Sequence, residues 1–127
     1  MDKKNIMAVL CEPGKQARIV ALENSLKAFQ NCVGGPIEVT CPYELSAAVV
    51  CNAFGKVLGL PVNRALRDNN RNVQDIMAGT FLVVGLDENG GFESLSSVLL
   101  EKYRRVFQYP EQAVFVEDKI LMIPVRV

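Results

Sequence analysis

Apolar residues fall along this chain with two different periods. Short runs at residues 6–11, 37–41, 45–51 and 76–86 are β-branched and either alternate or stay continuously apolar, as strands do. Residues 22–33 and 94–108 instead repeat apolar positions at helical spacing. Residues 6–11 predict a strand, and Glu12-Pro13-Gly14-Lys15 is turn chemistry, so residues 16–22 are expected to return as the second strand of a hairpin. A helix is predicted over residues 22–33, with Leu22, Leu26, Phe29 and Val33 on its apolar face, Asn24 as N-cap and Gly34-Gly35-Pro36 as the stop. Residues 37–41 alternate as a half-exposed strand. Residues 45–51 fit a buried strand or a short buried helix, and the turn that follows at Asn52 favours the strand.

The middle of the chain is less regular. Residues 56–60 suggest a brief strand, residues 62–66 one turn of helix or an irregular loop, and residues 68–72 a polar turn. Residues 74–86 form the longest strand candidate, with Gly79 as a bulge or a point of close approach. The helix over residues 94–108 is capped by Ser94 or Ser96 and buries Leu95, Val98, Leu99, Tyr103 and Val106. Its last turns carry Lys102, Arg104 and Arg105, where the helix dipole favours cations. The tail, residues 113–127, reads as a hairpin turning near Glu117-Asp118, with Pro124 making the last strand an edge. The fold class is therefore α+β: a mainly antiparallel sheet, two helices packed on it and a C-terminal β-hairpin. Residues 1–127 form one domain, and residues 112–127 are a candidate oligomer contact because an apolar edge strand invites pairing.

Composition narrows the chemistry. Fourteen basic and fourteen acidic residues cancel, which disfavours long nucleic acid and leaves room for a local patch. The sequence contains no histidine, which removes Ser-His-Asp triads and histidine-based zinc sites. Cys11, Cys32, Cys41 and Cys51 contain no C-x-x-C pair and read as buried thiols of a reduced, cytoplasmic protein. No signal peptide and no membrane span is expected, since the longest apolar stretches are far shorter than the roughly 20 residues a span needs.

The most particular stretch is residues 60–86, where a polar segment rich in arginine and asparagine runs into an apolar one. Arg64, Arg67 and Arg71 are three and four apart, and in a helix they would share a face. Guanidinium forks match phosphate oxygens, and Asn63 adds an amide that could read a ribose or base. The competing reading pairs these arginines with Asp68, Asp75 and other surface carboxylates. Thr80 and Phe81 would line the wall of such a site, although Phe81 serves equally as core. Phosphate-loop and dinucleotide-binding glycine motifs are absent, and nothing in the sequence fixes Glu12, Asp68 and Asp75 as a metal site. No catalytic residue, metal or cofactor is assigned.

The runs Glu12-Pro13-Gly14-Lys15, Ile37-Glu38-Val39, Val50-Cys51-Asn52, Gly59-Leu60-Pro61 with Asn63-Arg64-Ala65-Leu66-Arg67, and Asp75-Ile76 with Ala78-Gly79-Thr80-Phe81 give the chain a resemblance to a known family over about residues 5–110. It resembles the uncharacterised "domain of unknown function 3846" family of Firmicutes, phages and mobile elements. That resemblance implies a setting more than a mechanism: a small protein of the host bacterial cytosol, of the kind that counters host defence. The leading expectation is a non-catalytic homo-oligomer that binds and sequesters a phosphorylated, nucleotide-type signal through Asn63, Arg64, Arg67, Arg71, Thr80 and Phe81. On that reading Arg67→Ala removes binding and leaves the melting temperature nearly unchanged. The alternative is a protein-interaction module, an adaptor or inhibitor of a host enzyme with no small ligand. A magnesium-dependent nucleotide hydrolase is the minor third reading.

Overall fold

The computed structural model describes residues 4–127. Its centre is an antiparallel sheet in the order β2-β1-β7-β4-β3, built from β1 (Asn5–Cys11), β2 (Arg18–Glu23), β3 (Ile37–Glu44), β4 (Ala47–Asn52) and β7 (Phe81–Leu86). A two-residue strand, β8 (Phe92–Glu93), extends β7. The middle strands are buried on both faces, which explains their unbroken apolar runs: every residue of β4 is buried. Side chains alternate between two cores. Ile6, Ala8, Leu10, Ala48, Val50, Leu82 and Val84 meet Phe29 of α1 (Leu26–Val33) on one face. Val9, Cys11, Val49, Cys51, Phe81 and Val83 meet Leu100 and Tyr103 of α2 (Ser97–Val106) on the other, joined by Leu66 and Met77.

Those last two residues belong to a separate ribbon that lies over the α2 face of the sheet, β5 (Val62–Arg67) paired with β6 (Val73–Ala78). A second ribbon, β9 (Glu111–Val116) with β10 (Lys119–Pro124), is the C-terminal hairpin, with Val116 opposite Lys119 across the Glu117-Asp118 turn. The α+β class, the antiparallel sheet with two helices and the terminal strand pair thus agree with the sequence.

Several local expectations change. The first helix starts at Leu26 and is capped by Ser25, whose Oγ accepts from the Ala28 N–H at 3.1 Å. Asn24 instead donates to the Phe92 carbonyl at 2.8 Å, and Leu22 sits in β2. Ser96 caps α2, while the Ser94 hydroxyl accepts from the Met7 N–H. Starting at Ser97 turns the buried face of α2 to Leu100, Tyr103 and the following Phe107, and leaves Val98 and Val106 exposed. The expected helical turn or loop over residues 62–66 is strand β5, and the expected brief strand over residues 56–60 is absent, residues 56–59 being turns. The long strand over 74–86 is two strands, because Gly79 adopts φ +84° and Leu60 closes over it, leaving no room for a Cβ.

Candidate functional site

Strand β5 positions the central side chains by breaking its own alternation. A bulge between Val62 and Arg64 inserts Asn63, so these consecutive residues both turn inward. The Asn63 amide donates to the carbonyls of Cys11 and Gly79, each at 2.9 Å, and ties the ribbon to the end of β1 and to the turn that leads into β7. Arg64 is almost wholly buried. Its Nε donates to the Phe107 carbonyl at 2.7 Å, Nη2 to Lys15 at 2.6 Å, and Nη1 to the Glu12 carbonyl at 3.1 Å and to the Asn63 side chain. One guanidinium therefore clamps the β1–β2 turn and the C-terminus of α2. Burial pulls its pKa down, opposed by the neighbouring Cys11 and Glu111, and an arginine stays charged there.

Arg67 meets Glu111 of β9 in a two-pronged pair, Nη1 to Oε1 at 2.9 Å and Nη2 to Oε2 at 2.5 Å. The same Nη2 donates to the Met122 carbonyl at 3.1 Å, and Glu111 Oε1 accepts from the Ala65 N–H. The hydrogen bonds from Glu111, helped by its charge and opposed by burial, raise the Arg67 pKa, and the set as a whole fastens the hairpin to the ribbon. Arg71 stands in the β5–β6 turn, which Asp68 organises by accepting from the N–H groups of Asn70 and Asn72. Its backbone holds φ +65°, and among the described residues its side chain enters no ion pair.

Arg64, Arg67 and Arg71 do come together, for a reason different from helical spacing. With Arg105, Val106, Phe107, Gln108, Tyr109, Glu111 and Pro124 they line a cleft of about 430 Å³ between the ribbon, the end of α2 and the hairpin base. Four guanidiniums face one carboxylate. Their roles differ. Arg64 and Arg67 form a floor whose donors are largely committed to carbonyls and Glu111, whereas Arg71 and Arg105 stand exposed at the rim. Arg105 spends only its Nε on Glu101, which Arg104 and Arg105 hold down to a pKa of about 2. Tyr109 gives the cleft an aromatic wall, with Arg126 over its ring at 5.4 Å.

Asn63 lies in the interior, and its amide is engaged with backbone instead of facing the cleft. Phe81 is core: it packs edge-on against Phe107 at 5.2 Å, one layer behind the cleft wall. Thr80 is half-buried between β6 and β7 and does not line the cleft. Arg105 has no cleft signature in the sequence, because the helix dipole already accounts for a cation at a C-terminus, and Tyr109 reads only as part of the helix stop before Pro110. The carboxylates considered for metal go elsewhere: Glu12 pairs with Arg18, Asp75 with Lys56, and Asp68 with its own turn. Among the described residues no group of three potential ligands could hold a metal ion, and no helix is long and apolar enough to cross a membrane.

The class defined by this geometry is an α+β domain carrying an arginine-lined cleft at the junction of two ribbons and a helix. The family model described as domain of unknown function (DUF3846) matches residues 6–108, and the chain belongs to that family. The matched span includes Arg64, Arg67, Arg71 and Arg105 and ends before the hairpin that supplies Glu111. No curated protein and no solved structure matches the chain.

Proposed function

We propose that this protein binds a small phosphorylated ligand of nucleotide type in the arginine cleft and holds it without turning it over. The observation that carries the reading is the convergence of four arginines on one cleft that contains a single carboxylate. A volume of about 430 Å³ lies within the range of small-ligand pockets, roughly 300–1,000 Å³. Phosphate would meet Arg71 and Arg105, whose forks retain free donors, over the positive floor of Arg64 and Arg67. Tyr109, Val106 and Pro124 offer the apolar surface against which a base or ribose would rest. The sequence has no histidine to act as a base, and Glu111 is already spent on Arg67 and the Ala65 N–H, so sequestration fits these side chains better than hydrolysis. A cytoplasmic setting and a role against host defence complete the proposal by analogy with the setting the family resemblance implies.

The test is thermal unfolding against a panel of mono-, di- and cyclic nucleotides, followed by recovery of the bound compound from denatured protein. A ligand at 100 times its Kd raises stability by roughly 2.7 kcal/mol, several degrees for a domain of this size. A shift with one class and intact ligand recovered supports the reading. A flat panel removes it, and product released only in the presence of Mg²⁺ makes the protein a hydrolase.

A second reading, an interaction module without a small ligand, is favoured by one observation: Phe115, Val116, Ile120, Leu121 and Ile123 of the C-terminal hairpin are all more than two-fifths exposed. It predicts a flat nucleotide panel together with a defined protein partner.

A further inference from the structure

The arginine cleft holds more positive charge than its own residues answer. Four guanidiniums against one carboxylate leave its lining with a net charge of +3. The negative end of the α2 dipole takes back roughly half a charge. Arg64 carries the excess inward. It is 1% exposed and enters no ion pair among the described residues. Its donors go to the carbonyls of Phe107, Lys15 and Glu12 and to the Asn63 side chain, all of them neutral. The one carboxylate of the cleft, Glu111, is held in both prongs by Arg67. A buried cation with neutral partners is costly, and an anion brought into the cleft relieves that cost.

The rim has the donors to hold that anion. Arg105 gives its Nε to Glu101 and keeps both Nη groups, and Arg71 enters no ion pair among the described residues. The two forks reach the cleft from different elements, Arg71 from the β5–β6 turn and Arg105 from the last turn of α2. Two forks each held by a pair of oxygens ask for more acceptors than the three terminal oxygens of one phosphoryl group. Charge points the same way. A phosphomonoester brings about −1.5 to −2 and leaves part of the excess unanswered, whereas a second phosphoryl group adds about one more negative charge. We propose that the ligand of this cleft carries a terminal diphosphate, as a nucleoside diphosphate does, with one phosphoryl group on the Arg71 fork and the next on the Arg105 fork, above the floor of Arg64 and Arg67. The inference rests on the reading of the cleft as a phosphate site and narrows its ligand class. A diphosphate esterified at both ends has lost the extra charge and fits less well, as does a lone phosphate.

Calorimetric titration of the full chain with inorganic phosphate and with inorganic pyrophosphate, in EDTA so that no metal bridges them, tests it. Pyrophosphate is expected to bind about tenfold tighter or more, and to lose affinity faster as salt rises. Arg71→Gly and Arg105→Gln are each expected to erase most of that margin, because either leaves a single free fork. Both positions are exposed, so the fold survives these changes. Lys27→Gln removes an exposed charge from α1, on the opposite face of the sheet from α2, and is expected to leave the margin intact. A margin that shrinks as much with Lys27→Gln as with the rim variants overturns the proposal, since the preference would then follow the charge of the whole chain. Equal affinity for the two anions also overturns it and leaves the phosphate reading of the cleft standing. A chain that binds neither anion loses the phosphate site, and this inference with it.

Discussion

Arg64 donates through Nε to the Phe107 carbonyl at 2.7 Å, so a residue of β5 closes the open end of α2. The same guanidinium satisfies the carbonyls of Lys15 and Glu12. This arginine is the joint between three parts of the chain before it is a cleft residue. Arg64→Ala strands several buried acceptors at once and should cost roughly 3 kcal/mol or more. That corresponds to a fall in Tm on the order of 10 °C. Arg64→Lys should rescue little, since one ammonium cannot reach carbonyls arranged around a planar fork. An Arg64→Ala protein that melts like wild type would contradict this account of the fold.

Arg67 and Glu111 carry a related prediction. Because the pair joins β5 to β9, Arg67→Ala is expected to lower stability by about 2–3 kcal/mol instead of leaving it untouched, the figure being kept modest because the Arg67 side chain is 31% exposed. Arg67→Ala is therefore a poor probe of ligand binding. Glu111→Gln keeps an acceptor for the Ala65 N–H and removes the one carboxylate in the cleft. It should destabilise less than Arg67→Ala and tighten the binding of a phosphorylated ligand, the gain shrinking as salt rises. Calorimetric titration of both variants separates the two effects.

How much of this was legible in the sequence follows from the same residues. The buried strands and the hairpin announced themselves through runs such as AVVC and FLVVGL, because a strand covered on both faces needs apolar side chains at every position. Strand β5 did not, because the bulge at Asn63 places two polar residues inward in succession and cancels the alternation that marks a strand. Asn63 and Arg64 looked like ligand groups since side chains so polar are seldom buried; here backbone carbonyls from distant segments take the place of water. The meeting of Arg105 with Arg71 depends on the docking of α2 against the ribbon, a tertiary fact with no local signature.

The thiols give a pH dependence whose sign is fixed by burial. Desolvation pushes Cys11 up to about 12, partly opposed by Arg64, and Cys51 up to about 11. An unfolded thiol titrates near 8.5. Because the folded pKa values are raised, the contribution is fully present below about pH 8.5 and is lost as pH climbs toward the folded values, where the unfolded chain releases protons first. Denaturant midpoints should therefore fall through the alkaline range. Cys11→Ala should flatten that decline while lowering stability at neutral pH by opening a cavity. Under native conditions Cys11 should resist alkylation longer than Cys32 or Cys41, which are only partly buried. Mass spectrometry of timed samples reads the order, and early labelling of Cys11 would show that the β1 core opens readily.

Arg71 separates stability from function most cleanly. It holds φ +65° in the β5–β6 turn, a region that costs a side-chain-bearing residue about 1–2 kcal/mol and costs glycine nothing in sterics. The turn itself depends on Asp68, whose carboxylate accepts from Asn70 and Asn72, and on the Arg71 N–H to the Asp68 carbonyl at 3.0 Å; neither requires the arginine side chain. Arg71→Gly should accordingly leave the fold intact and shift stability upward by up to about 1 kcal/mol, the steric relief being offset in part by the greater freedom of glycine in the unfolded chain. Were the arginine only a solvated turn residue, nothing else would change. If it is the rim cation of a binding cleft, the same substitution removes a full set of free donors and should cut affinity for a phosphorylated ligand about tenfold or more. Tm and ligand-induced shift measured on one sample then move in opposite directions, and a variant that is more stable yet binds as well as wild type would take Arg71 out of the site.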